Sequence, residues 1–286
     1  MSTTTASFLL ATSLCCCGAL RAAQQNAPVP ATDDESGFEL IFDGQTMNGW
    51  EGDPQYWRVE NGVLVGEVLP TNIPKQNTFF IWRGGVTRDF DLKVEYRISN
   101  KGNSGVNFRS VEVPGVSLAL QGYQADLDGE NRNANNVRYT GQNYEERGRA
   151  FLALRGQVTH VIQGKPPQII GSVGDPKEIE AVIKNGDWNE LRVIARGNIM
   201  IELINQRVTN IVIDDDPSGR KLEGLLGVQV HVGGAMKIEY RNFRLKQLDP
   251  LPATTPATPS PAAVPATTTT TPAATSATPA SAPVRP

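Results

Sequence analysis

The chain has 286 residues, with 27 Lys and Arg against 30 Asp and Glu, a formal net charge of −3 and no basic cluster. That balance argues against nucleic acid as a partner. The three cysteines, Cys15, Cys16 and Cys17, are adjacent and close to the N-terminus, so disulfides, thiolate catalysis and cysteine-bound zinc are excluded from the rest of the chain.

Residues 1–23 carry an apolar run from Phe8 to Leu20 followed by Arg21-Ala22-Ala23. Their length and order predict a secretory signal peptide, too short for a stable transmembrane span. The chain is therefore expected to be exported, to the periplasm or the cell exterior. Residues 24–36 read as a linker and 37–248 as the folded domain. Residues 249–286 read as a tail that, from Pro250 onward, is almost entirely Ala, Pro, Thr, Ser and Val with one charge, Arg285. Such a segment cannot bury enough surface to fold and is expected to be a disordered, extended tail, with an envelope tether as one use for it.

Within 37–248 no long segment places apolar residues at helical spacing, whereas strand signals recur. Residues 38–42 lead into an Asp43-Gly44 turn. Residues 57–60 meet 63–65 across Asn61-Gly62, a strong hairpin signal. Residues 90–98 alternate, with Leu92, Val94, Tyr96 and Ile98 on one side and Lys93, Glu95 and Arg97 on the other. Further strands are predicted over 188–195, 200–204, 209–213, 226–232 and 236–245, with a turn at Asn205-Gln206. The expected fold class is all-β: an antiparallel two-sheet β-sandwich, most simply a jelly roll, with a long loop insertion over 129–185.

Three of these stretches place polar residues at every second position. They are Asn107 and Arg109 in G-V-N-F-R, Gln124, Asp126 and Asp128 in Y-Q-A-D-L-D, and Gln229 and His231 in V-Q-V-H-V. Strand alternation would gather each set on one sheet face, leaving the apolar residues for the core. Acid, amide, guanidinium and imidazole together suit a groove that binds or cleaves sugars, whereas a merely solvated face is usually richer in Lys, Glu and Thr. Glu95 and Arg97 are expected to join this face, and the 129–185 loop to add Tyr144 and Glu145.

Several runs carry a resemblance to a known family. They are 37–44 (G-F-E-L-I-F-D-G) followed by Asn48-Gly49-Trp50, then W-R-V-E-N-G-V-L at 57–64 and E-Y-R-I at 95–98. G-N-S-G-V at 102–106, Phe108-Arg109, G-Y-Q-A-D at 122–126 and Asp187-Trp188-Asn189 follow. G-V-Q-V-H at 227–231 and Y-R-N-F-R at 240–244 complete the set. In order and spacing these resemble the 3-keto-disaccharide hydrolase family, exported bacterial proteins with a concanavalin-A-like jelly roll. The resemblance implies an enzyme acting on 3-keto-glycosides by removing the acidic proton on carbon 2, beside the ketone, with loss of the carbon-1 substituent and addition of water. In that reading His231 or Asp126 is the base, Arg109 backed by Arg97 stabilises the enolate, and Glu95 or Glu145 is the acid. Asn107, Gln124, Gln229, Tyr144 and Glu145 would bind substrate. A direct two-carboxylate glycosidase mechanism with Glu95, Asp126 or Asp128 competes with it, and a divalent cation held by His231 and carboxylates stays open. The alternative from another class is a noncatalytic lectin-like module. The density of titratable groups favours the enzyme.

Overall fold

In the computed structural model the described residues are 35–130 and 138–249. The expected signal peptide, nearly all of the expected linker, and the expected tail from residue 250 lie outside them. The strands, in chain order, are β1 (Glu39–Leu40), β2 (Trp50–Glu51), β3 (Trp57–Glu60), β4 (Val63–Val68), β5 (Thr78–Trp82), β6 (Phe90–Ile98), β7 (Asn103–Glu112) and β8 (Leu120–Asp128). There follow β9 (Asn143–Glu146), β10 (Ala150–Ala153), β11 (Gln157–Val161), β12 (Gln168–Ser172), the helix α1 (Pro176–Glu180), β13 (Asn189–Arg196), β14 (Ile199–Ile204), β15 (Arg207–Asp214), β16 (Leu225–Val230) and β17 (Met236–Gln247).

They form two sheets. The larger runs β12-β11-β15-β14-β13-β6-β17-β4-β3 with β1 added on β17, and the smaller runs β10-β9-β8-β7-β16-β5-β2. The pairing is antiparallel throughout except between β11 and β15, which run parallel. This is the expected all-β jelly-roll sandwich. The core follows from alternation: Leu92, Val94 and Tyr96 of β6, Leu191 and Val193 of β13 and Ile238 and Tyr240 of β17 face inward from the larger sheet. Val106 and Phe108 of β7, Tyr123, Ala125 and Leu127 of β8 and Val228 and Val230 of β16 meet them from the smaller one, all in one buried cluster.

Turn chemistry sets the hairpins. Asn61 and Gly62 both take positive φ (51° and 83°) between β3 and β4, the twist that suits a two-residue hairpin loop. Asn205 and Gln206 do the same between β14 and β15. Asn205 also accepts from the Glu190 N–H at 2.9 Å and donates to the Val182 carbonyl at 2.7 Å.

The segment expected as a long loop is more ordered than that reading. β9 and β10 extend the smaller sheet, while β11 and β12 extend the larger. Its strands are four or five residues long, and β12 is exposed along its whole length, so neither shows the apolar alternation that identifies a strand locally. α1 does have a local signature. Asp175 caps it by accepting from the N–H groups of Lys177 and Glu178, with Pro176 opening the first turn. No helix among the described residues is long and apolar enough to cross a membrane.

Candidate active site

The outer face of the smaller sheet is divided. At one end Phe79, Ile81 and Leu120 form a second small core, flanked by Leu118 and Leu225. At the other end lies a cavity of about 360 Å³, lined by Asn77, Asn103, Gln124, Asp126, Tyr139, Tyr144, Glu146, Phe151, Gln229 and His231. That volume and its mixture of aromatic and polar groups suit a small-molecule site.

Strand parity builds this face. Asn103, Gly105 and Asn107 of β7 face Asp128, Asp126 and Gln124 of β8 in register, while their neighbours enter the core. Gly105 is required at the centre, because a Cβ there would lie 2.5 Å from the Gln124 side chain. Gln124 donates to the Asn107 carbonyl oxygen at 2.7 Å. Gln229 projects from β16, and His231 follows one residue beyond that strand. β9 adds Tyr144 and Glu146, whose ring and carboxyl share one face because they are two residues apart. Asn77 ties the rim together, donating to Glu146 at 3.1 Å and accepting from the Val232 N–H at 3.0 Å. Phe151 stacks on Tyr139 (centroids 5.9 Å apart, 3° between planes) and packs against Tyr144 at 5.0 Å, making an aromatic wall.

Burial sets the electrostatics. Asp126 is pushed well above the usual carboxylate range, first by desolvation and then by the nearby carboxylates Glu202, Asp128 and Glu146. Its carboxyl has no hydrogen-bond partner among the described residues. Desolvation also raises Glu146, against the opposing pull of Asn77 and Arg147, and lowers His231, which favours the neutral imidazole. The Gln229 side-chain oxygen and the Asn107 amide nitrogen are buried without partners, and such orphans call for a polar ligand or water. Beside this cavity lies a smaller one of about 130 Å³, lined by Lys101, Val232, Gly233, Gly234 and Met236 and sharing Asn103 and His231 with the first. Among the described residues no three His, Cys, Asp or Glu side chains come together as metal ligands.

Of the residues the sequence singled out, the structure brings His231, Asp126, Gln124, Gln229 and Tyr144 to the cavity, with Asn107 bonded to Gln124 in its floor. It does not bring five others there. Arg109 has a positive φ of 46° where the β7 register shifts. This bulge breaks the alternation, and the guanidinium is buried instead against the Arg88 and Gly197 carbonyls and the Asp89 carboxylate at 3.0 Å. Glu95 and Arg97 belong to β6 in the other sheet. Because their neighbours fill the core, they point out of the opposite side of the sandwich. There Glu95 pairs with Arg241 at 2.7 Å, and Arg97 pairs with Glu239 at 2.7 Å and stacks on Trp188. Glu145 has the opposite parity to Tyr144 and bonds Arg149, at 2.5 Å to its Nε. Asp128 faces the right way but is fully buried, accepting from Thr140, Tyr139 and Arg138. Glu146, Tyr139, Phe151, Asn77 and Asn103 complete the cavity without having been assigned to it from sequence. For Glu146 a usable signal existed, the i, i+2 relation to Tyr144.

Fold and cavity together define a jelly-roll protein with a polar, titratable cleft on the outer face of its smaller sheet. The model of the family described as "3-keto-alpha-glucoside-1,2-lyase-like domain" matches residues 37–246, and the chain belongs to that family. A relative from Bacteroides thetaiotaomicron, named 3-keto-disaccharide hydrolase, is 23% identical over 254 residues, covering 76% of this chain and 80% of the relative. Family and relative together mark the chain as a glycoside hydrolase-like enzyme. Among solved structures, a protein from Parabacteroides distasonis ATCC 8503 put forward as a glycosyl hydrolase is 20% identical with a TM-score of 0.49, covering 77% of this chain and 98% of that one. The carbohydrate-binding module CBM66 from Bacillus subtilis is 15% identical with a TM-score of 0.43, covering 69% and 95%.

Proposed function

We propose that the chain cleaves 3-keto-glycosides in the larger cavity by elimination followed by hydration. The observation that carries this reading is the opposed tuning of its titratable groups, gathered on one cavity: burial shifts the imidazole towards its neutral form and the carboxyls beside it towards their protonated form. Environments that push such groups apart assign base and acid. His231 takes the carbon-2 proton, and the electron pair forms an enolate with the carbon-3 oxygen. The enolate then expels the carbon-1 substituent as that C–O bond breaks, and Asp126 or Glu146 gives the departing oxygen its proton. Water adds to carbon 1 of the resulting enone and gives up a proton to the carboxylate left on Asp126 or Glu146, while the imidazolium returns its proton to carbon 2, so acid and base are both restored and no redox partner is required. With Arg109 outside the cavity and no guanidinium or ammonium among the described residues lining it, the enolate oxygen would be held by neutral donors. The amides of Gln229 and Asn103 and the Tyr144 hydroxyl are the candidates. The aromatic wall of Tyr139, Phe151 and Tyr144 offers apolar surface for the sugar's C–H face.

The test uses a 3-keto-disaccharide and its unoxidised parent. Release of monosaccharide from the keto form alone is expected, with loss of at least about a hundredfold in kcat for His231→Ala in a folded protein. Cleavage of the parent sugar would replace this chemistry with a two-carboxylate mechanism. Binding of sugars without cleavage of either form would favour a lectin-like module. Full activity of the folded variant would remove His231 from the mechanism.

A further inference from the structure

We infer that the smaller cavity is the subsite for the leaving group, and that it is built for a hydroxylated sugar ring rather than a flat aromatic aglycone. This deepens the proposed elimination and rests on it. The two cavities meet at Asn103 and His231, the only described residues common to both linings. If His231 draws the carbon-2 proton of a sugar in the larger cavity, the scissile bond at the adjacent carbon 1 lies within a bond length or two of that boundary. The departing group then has the smaller cavity directly beside it.

The lining sets the chemistry. Among the described residues the larger cavity has three Phe or Tyr rings, whereas the smaller has none, which favours stacking on one side of the boundary. What the smaller one offers is the Asn103 amide, the Lys101 ammonium and the backbone of residues 232–234. Lys101 sits in the turn between β6 and β7, closed by the Gly102 N–H on the Ser99 carbonyl at 2.8 Å. Its side chain is exposed and has no ion-pair or hydrogen-bond partner among the described residues, leaving its donors available to hydroxyl groups. Gly233 and Gly234 both take φ values that favour glycine, 137° and 154°. An added Cβ at Gly234 would meet nothing within 4 Å, and one at Gly233 would touch the His231 ring at 3.5 Å. The wall beside the imidazole is thus bare backbone, whose peptide groups a sugar can approach.

The experiment compares two substrates that share the keto ring and differ in the leaving group: a 3-keto-disaccharide and the methyl 3-keto-glycoside. Each is measured with the parent enzyme and with Lys101→Ala. Turnover of the methyl glycoside by the parent enzyme establishes the proposed chemistry separately, since methanol makes no use of a sugar subsite. The inference expects Lys101→Ala to shift the ratio of kcat/KM values against the disaccharide by about tenfold, the loss of a hydrogen bond to a charged donor. An equal loss on both substrates would place Lys101 at the keto ring and overturn the assignment. No change in the ratio would show that the smaller cavity does not hold the leaving sugar.

Discussion

At the scale of single residues, the chemistry depends on carboxyl groups that the fold keeps out of water, and another such group lies outside the cavity. Glu202 points inward from β14 and is fully buried. The amides of Asn143 and Asn210 donate to its two oxygens at 2.7 Å each. Burial pushes its pKa up to about 8 despite those donors. The carbonyl oxygens of both asparagines are buried without partners. Turning either amide over gives a protonated Glu202 an acceptor, so the neutral acid satisfies this site better than the ion. The consequence for stability has a definite sign. Below the ordinary glutamate pKa of about 4.5 both folded and unfolded states are protonated. Between there and about 8 only the unfolded state releases the proton, so rising pH erodes stability by roughly 1.4 kcal/mol per pH unit from this group. Glu202→Gln cannot ionise and keeps both a donor and an acceptor. It should melt at a higher temperature than the parent above pH 7, with the difference shrinking towards pH 4. Parallel melting curves across that range would show that Glu202 ionises freely in the folded protein.

At the scale of elements, one residue of register decides which side chains reach the cleft. Period-two alternation is local, so the polar sets on β7, β8 and β16 were legible in sequence, as were the hairpins at Asn61-Gly62 and Asn205-Gln206. The bulge at Arg109 was not. It arises where β7 meets a register shift against both β8 and β16, and that information comes from two partner strands. Beside it the Gly224 Cα approaches so closely that a Cβ would lie 2.4 Å from the Arg109 carbonyl carbon. The bulged arginine bonds three distant segments, at Arg88 and Asp89, at Gly197 and, at 3.5 Å, at the Lys221 carbonyl. Removing its side chain leaves a buried carboxylate at Asp89 uncompensated. Arg109→Ala should therefore lose about 3–5 kcal/mol of stability, read by denaturant unfolding. A loss under 1 kcal/mol would contradict a structural role for the guanidinium. Within β9 the lesson is parity: Tyr144 lines the cavity, and the two-residue period of a strand places Glu146 rather than Glu145 beside it.

At the scale of the molecule, the β6 pattern showed which residues of that strand avoid the core but not which sheet the strand joins. Sheet membership depends on pairing with β13 and β17, about a hundred residues or more away in sequence. Hence Glu95 and Arg97 could be read as solvent-facing, though not as lying on the far side of the sandwich from His231. Glu95→Ala should accordingly change kcat/KM by less than about twofold and stability by less than about 1 kcal/mol, as befits a half-exposed ion pair. Loss of turnover at unchanged stability would connect that face to the cleft. The strand order also bears on how the chain comes to be assembled. β17, last in sequence, lies inside the larger sheet between β6 and β4, and β1 pairs with it as well. Until that strand docks, β6 and β4 each keep an open edge, so the sandwich closes only when residues 236–247 join the sheet.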